Sequence, residues 1–405
     1  MNREGQPGHI DHIKQANMGA VYRLIDQYGP ISRIDLSKVS QLAPASITKI
    51  VRELYDAHLV KETEVSELGS RGRPATGIEL DTKSWHFLAC RIHYGYLTLA
   101  LRDLSNQIIV EDRVEFPADK TTSWLMRFIT EIELFFTRHQ NRLERLTAIA
   151  ITLPGIIDAT YGIVHKMPFC HEEDVPLGAE LSKRTGLPVY VQQDVSAWTI
   201  SEALYGAAVG SQNVIQLVID DIVGASVISD GRVLHTDSGC RIEIGHTQVD
   251  PAGKPCYCGN HGCLETIASM PSILAKTHDL LAAYPESILH SAPATIESLC
   301  TAANQGDQLA IEIIQSVGHS VGHITAIMVN IFNPEKIIIG SPLNLASSIL
   351  YPAIENCIRQ QSLSQYSENI RIVPTHFMNQ GTMPGAALVK MALYNGSLLV
   401  KLLHG

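Results

Sequence analysis

Between Asn17 and His58 the apolar positions fall at helical spacing in three short pieces. Val21, Leu24, Ile25 and Tyr28 make the first, which Gly29-Pro30 stops. The second opens on Ser32, has Asp35 three residues on as a capping-box acid, and is expected to bury Ile34, Leu36 and Val39. A third follows Gln41-Leu42-Ala43, carries Pro44 in its first turn, where a missing N–H costs nothing, and buries Ile47, Ile50, Val51 and Leu54. The period then changes to two. Val60 to Val65 and Thr76 to Leu80 alternate as strands around Gly69-Ser-Arg71-Gly72-Arg73-Pro74.

Two short helices joined by a tight turn, followed by a two-stranded wing, predict a winged helix-turn-helix. On its reading helix Ala45, Ser46, Thr48, Lys49 and Arg52 point away from the apolar stripe. Small residues let a helix approach the groove floor, while hydroxyls and long cations meet base edges or phosphates. In the wing, Arg71 and Arg73 flank a glycine as in an AT-hook, and are expected to hold a minor groove.

From Trp85 the pattern alternates between strand-like and helical runs: Phe87 to Ile92, Leu97 to Leu101, Ile108 to Val110, a long helix around Ser123 to Arg138, then Leu146 to Thr152. The second half repeats the theme with Val214 to Val218, Val227 to Ile228, a helix-rich stretch from Met270 to Asn330 and the strand Lys336 to Ile339. That order predicts an α/β body with a mixed sheet. At the end, Leu398, Leu399, Leu402 and Leu403 form one helical stripe after Ser397. It must cover a core or meet another subunit, and stands as a candidate oligomer or partner helix.

Composition adds little against this picture. The chain has 405 residues, 45% hydrophobic and 18% charged, with no apolar run near the ~20 that a membrane helix needs. Its polar start and scattered cysteines predict a cytoplasmic protein without a disulfide framework. The net charge of −10 lies mostly beyond residue 82, so the DNA-binding expectation rests on pattern and not on charge.

One cluster carries recognisable metal chemistry. Cys256-Tyr-Cys258-Gly-Asn-His-Gly262-Cys263 follows His246 by ten residues. Three thiols and an imidazole, with glycines that let the loop turn tightly, predict one structural zinc ion with no ligand position left open.

Glu243-Ile-Gly-His246, followed by that cysteine loop and Glu265, resembles the signature of the ROK family (repressors, open reading frames and kinases). The resemblance covers everything after the wing. It implies a two-lobed actin-like ATPase body: residues 83–195 as lobe 1, completed by 380–405, and 196–379 as lobe 2 with the zinc site, behind a DNA-binding domain over 1–82. Family kinases carry Asp-x-Gly-Gly-Thr at the first phosphate loop. This chain has Arg91 for the Asp and His93-Tyr94-Gly95 for Gly-Gly-Thr. Asp220-Asp221-Ile222 replaces the second loop's Gly-Thr-Gly, so neither ATP binding nor kinase activity is expected. Asp194, Glu243, His246 and Glu265 match sugar-contacting positions, yet Gln193 and Ser196 replace the asparagines that flank the acid, and direct sugar binding is in doubt.

Gln6-Pro-Gly-His-Ile-Asp, the segment Leu42 to Arg52 and Tyr394-Asn-Gly-Ser-Leu-Leu are similar to the family's glucose-responsive repressors. That resemblance implies a dimer or tetramer on a palindromic operator of phosphotransferase-system genes. It also implies release when the dephosphorylated glucose permease captures the repressor at the membrane through its IIB domain, with no insertion of the repressor itself. Two alternatives stay open: a ROK repressor induced directly by sugar, and a ROK sugar kinase with an added DNA module.

Overall fold

The structure is a computed structural model that describes residues 7–65, 75–117, 123–168, 170–234, 242–291, 295–377 and 381–404. Its first domain holds α1 (Pro7–Tyr28), α2 (Arg33–Ser40) and α3 (Pro44–Asp56), then the antiparallel pair β1 (Val60–Val65) and β2 (Ala75–Leu80). The Ser32 hydroxyl caps α2 by accepting from the Asp35 N–H at 3.1 Å. Ile47, Ile50, Val51 and Leu54 are buried, as their spacing predicts.

Two expectations here change. Ile34 and Val39 are 70% and 50% exposed, and only Leu36 anchors α2. Ile34 sits two residues from Leu36, about 200° round a helix, so the two cannot share a face. Helix α1 starts at Pro7, well before the stripe that revealed it, because proline is tolerated in a first turn. The wing tip with Arg71 and Arg73 lies outside the described residues.

Lobe 1 is built on β3 (His86–Ile92), β4 (Gly95–Asp103), β5 (Ile108–Phe116), β6 (Leu146–Leu153) and β9 (Val189–Gln193), in the order β5-β4-β3-β6-β9. A hairpin of β7 (Ile156–Asp158) and β8 (Ile163–Lys166) precedes β9. Strands β3, β4 and β5 pair antiparallel, and β6 and β9 extend the sheet in parallel. The second sheet repeats this arrangement as β12-β11-β10-β13-β14, from β10 (Val214–Ile219), β11 (Val223–Ser229), β12 (Arg232–Val233), β13 (Lys336–Gly340) and β14 (Arg371–Pro374). Leu88, Cys90 and Ile92 face α4 (Trp124–Arg138) through Phe128, Ile132 and Phe135, while Phe87 and Ala89 face the helix Met383–Tyr394. Gly385 lets that helix close on the sheet, since a Cβ there would sit 2.9 Å from the Ala89 Cβ.

After α5 (Leu177–Thr185), α6 (Asp194–Tyr205) packs on β9, on β10 and β11, and on Met383–Tyr394. The expected boundary at residue 195 therefore falls inside a helix that both sheets share. The terminal helix Ser397–His404 also docks within the chain: Leu398 and Leu399 are fully buried in the core that contains α1, and Leu402 and Leu403 pack on its rim. Its first two leucines are thus not an open partner surface. Apolar stripes read alike whether they meet their own core or a neighbour, and here α1 covers them.

Helix α1 is fastened to the body at close range. A Cβ on Gly19 would lie 2.2 Å from the Tyr394 carbonyl, and one on Gly396 2.1 Å from that of Gln15. Asp26 pairs with the buried Lys390 at 2.6 Å and accepts from the Tyr394 hydroxyl. No single described helix is long and apolar enough to cross a membrane.

Candidate functional site

The cysteine loop folds as a short knuckle. Bridges at Gln248/Cys263 and Pro255/His261 bring its ends together, and the Cys256 N–H donates to the Asn260 carbonyl at 2.8 Å. Gly262, at φ 59°, cannot be replaced without strain, because a Cβ would lie 1.5 Å from the Asp250 carbonyl oxygen. The result gathers the donor atoms of His246, Cys256, Cys258 and Cys263 within 4.8 Å of one another. The Cys258 and Cys263 sulfurs are 3.7 Å apart, and Cys256 Sγ is 3.5 Å from His246 Nδ1. A tetrahedral zinc with ordinary Zn–S bonds requires sulfur separations of about 3.8 Å, so donor set and spacing fit that ion. Burial pushes the Cys263 thiol up to about 12, and a bound cation is what would favour its thiolate.

Beside the knuckle lies a cleft of about 170 Å³. Glu243, His246 and Glu265 line it with Gln193 and Tyr257, but Asp194 does not. That fourth expected sugar contact is buried under Arg91, whose Nε and Nη2 both lie 3.1 Å from Asp194 Oδ2. Burial pushes the Asp194 carboxyl up, and the Arg91 charge draws it back only in part.

The same arginine reaches across to the second sheet. Its Nη2 lies 3.4 Å from Asp220 Oδ2, in the turn after β10, and its guanidinium stacks over Trp198 at 5.3 Å. Next to it, Asp221 accepts from the Tyr94 N–H at 3.3 Å. Burial and neighbouring Asp220 push the Asp221 carboxyl up to about 6. Burial and the nearby Arg91 push His93 down to about 2, so its imidazole is neutral. The residual void bounded by Arg91, Tyr94, Asp194, Asp220 and Asp221 is about 10 Å³, room for one water at most. Residue types had already marked Arg91 and the Asp220-Asp221 pair as departures. That Arg91 would neutralise Asp194 was not visible, because 103 residues separate them.

On the helix expected to read DNA, Ala45, Ser46, Thr48, Lys49 and Arg52 are all exposed on one side of α3. Thr48 donates to the Pro44 carbonyl at 2.9 Å, and Arg52 makes only a loose 3.8 Å pair with Asp56. The polar face is therefore available, with its long cations in solvent.

The ROK family model matches residues 89–392, and the chain belongs to that family. It is 60% identical over the full length of both chains to the DNA-binding transcriptional repressor Mlc of Escherichia coli strain K12. To the DNA-binding transcriptional dual regulator NagC of the same strain it is 38% identical, over 99% of this chain and 98% of the relative. Among solved structures, a ROK family transcriptional regulator described as a homologue of the E. coli Mlc protein superposes with a TM-score of 0.89 at 48% identity, covering 98% of this chain and all of the other.

Proposed function

We propose that the protein is a DNA-binding transcriptional repressor of sugar-metabolism genes, without kinase activity. The observation that carries this reading is the exposed polar face of α3 on a domain fastened to a ROK body, in a chain that aligns end to end with two regulators of transcription. The α3 residues Ala45, Ser46, Thr48, Lys49 and Arg52 would enter the major groove of a palindromic operator, and Arg71 and Arg73 the adjacent minor groove. A palindrome calls for a symmetric dimer, or two dimers as a tetramer.

His246, Cys256, Cys258 and Cys263 would hold one structural zinc ion, which supplies rigidity to the cleft floor and no chemistry of its own. The absence of kinase activity is supported by the Arg91 network, which puts a cation on the would-be base Asp194 and ties it to Asp220. In the same reading, induction comes from a protein. The dephosphorylated IIB domain of the glucose permease would draw a cytoplasmic repressor of phosphotransferase-system genes to the membrane. A repressor induced by free sugar is the second reading, favoured by the cleft of about 170 Å³.

Fluorescence anisotropy on a labelled palindromic operator, at one stated salt concentration, separates the two. Release by the IIB domain alone is expected. Release by glucose alone would replace the first reading with the second.

A further inference from the structure

A cavity of about 170 Å³ walled by two carboxylates, an imidazole and a carboxamide has the size and the donors to take a hexose-sized polyol. Yet these groups already have partners in their own chain. Glu243 Oε1 accepts from Gln193 Nε2 at 3.4 Å, and Glu265 Oε2 accepts from the Val223 N–H at 3.1 Å. The remaining nitrogen of His246, Nε2, lies 3.1 Å from the Tyr257 hydroxyl, with the two rings edge to face at 85°. With Nδ1 turned to the sulfurs and a metal bound there, Nε2 would carry the proton and donate to the phenol oxygen. Tyr257 thus caps the outer nitrogen of the knuckle histidine.

We propose that the Tyr257 hydroxyl occupies, from within the chain, the place a sugar hydroxyl would need on His246 Nε2, so that a hydrogen bond and not lack of room closes the cleft to free hexoses. The inference deepens the reading above, of a repressor switched by a protein, and rests on it. A sugar that uses His246 must first break the Tyr257 hydrogen bond, which leaves little net gain at that nitrogen. Tyr257 is then a specificity-determining residue, and its phenylalanine variant frees His246 Nε2 while keeping the ring.

Isothermal titration of the zinc-loaded full chain with glucose, and separately with N-acetylglucosamine, tests this in the wild type, Tyr257→Phe and Tyr257→Ala, with metal content measured for each. The wild type should show no saturation up to ~50 mM, and at least one variant should bind with a Kd of a few mM, roughly a tenfold gain or more. Saturation of the wild type below ~1 mM would overturn the proposal. So would silence of both variants with zinc content and melting intact, or loss of zinc from Tyr257→Phe, which would make the phenol a support of the metal. Operator anisotropy on the same preparations keeps the two readings apart: a chain that binds no DNA sinks the repressor reading and leaves the titration result standing.

Discussion

The knuckle and the phosphate end of the cleft lie on neighbouring walls and are built on opposite principles. At the knuckle, the donor atoms of four residues lie within 4.8 Å of one another, a set that an external cation would complete. At the phosphate end the chain has supplied the ligand itself. The Arg91 guanidinium stands between Asp194 and Asp220, joins the two sheets, and leaves voids of about 10 and 60 Å³ on its two sides. One region can be emptied and refilled, whereas the other can only be broken.

That contrast sets the sizes of the expected effects. Cys258→Ser removes an exposed thiol, so packing loss is small, but the tetrahedron loses a ligand. Zinc should fall to near zero per chain by elemental analysis, and the melting temperature by ~10 °C or more in scanning calorimetry. An unchanged melting curve would show that the knuckle stands without metal.

Arg91→Ala should cost about 3–5 kcal/mol in urea unfolding, because it strands the buried Asp194 charge. Adding Asp194→Asn should recover much of that loss. If the double variant is no more stable than the single, the pair is not what holds the sheets together.

The smallest effect is at Asp221, where the sign follows from its carboxyl being pushed up to about 6 by burial and Asp220. The folded chain binds this proton more tightly than the unfolded one. Its contribution to stability is complete below about pH 4 and is lost as pH rises through 6. Asp221→Asn keeps an acceptor for the Tyr94 N–H and removes the charge. At pH 8 it should be more stable than wild type by ~1 kcal/mol, after allowance for partial exposure, and the gap should vanish near pH 4. Parallel urea melts at the two pH values measure it, and a gap of equal size at both would exclude the charge as its cause.

Much of the knuckle was legible because its chemistry is local: three of the four donors lie within one short loop with His246 ten residues before it, and cysteine spacing between glycines has few other uses. Helix α3 was legible for a similar reason, since Ile47, Ile50, Val51 and Leu54 mark one face and leave the polar residues on the other. Where apolar residues were few, periodicity misled. Ile34 and Val39 read as core on an eight-residue helix that has only Leu36 to bury. The Tyr257–His246 contact was not legible although only eleven residues separate the two, because the turn of the knuckle decides which way the phenol points.

The sequence by itself determined most of the elements, the His246, Cys256, Cys258 and Cys263 donor set and the residue types at the two phosphate-loop positions, since each is written in the identity and spacing of residues close along the chain. Only the tertiary structure decided what replaced the missing parts. It placed Arg91 on Asp194 and Asp220, α1 against the terminal helix, and Tyr257 on His246. Such pairings depend on how two sheets and a shared helix pack, and packing energy is summed over many small contacts that no short motif encodes.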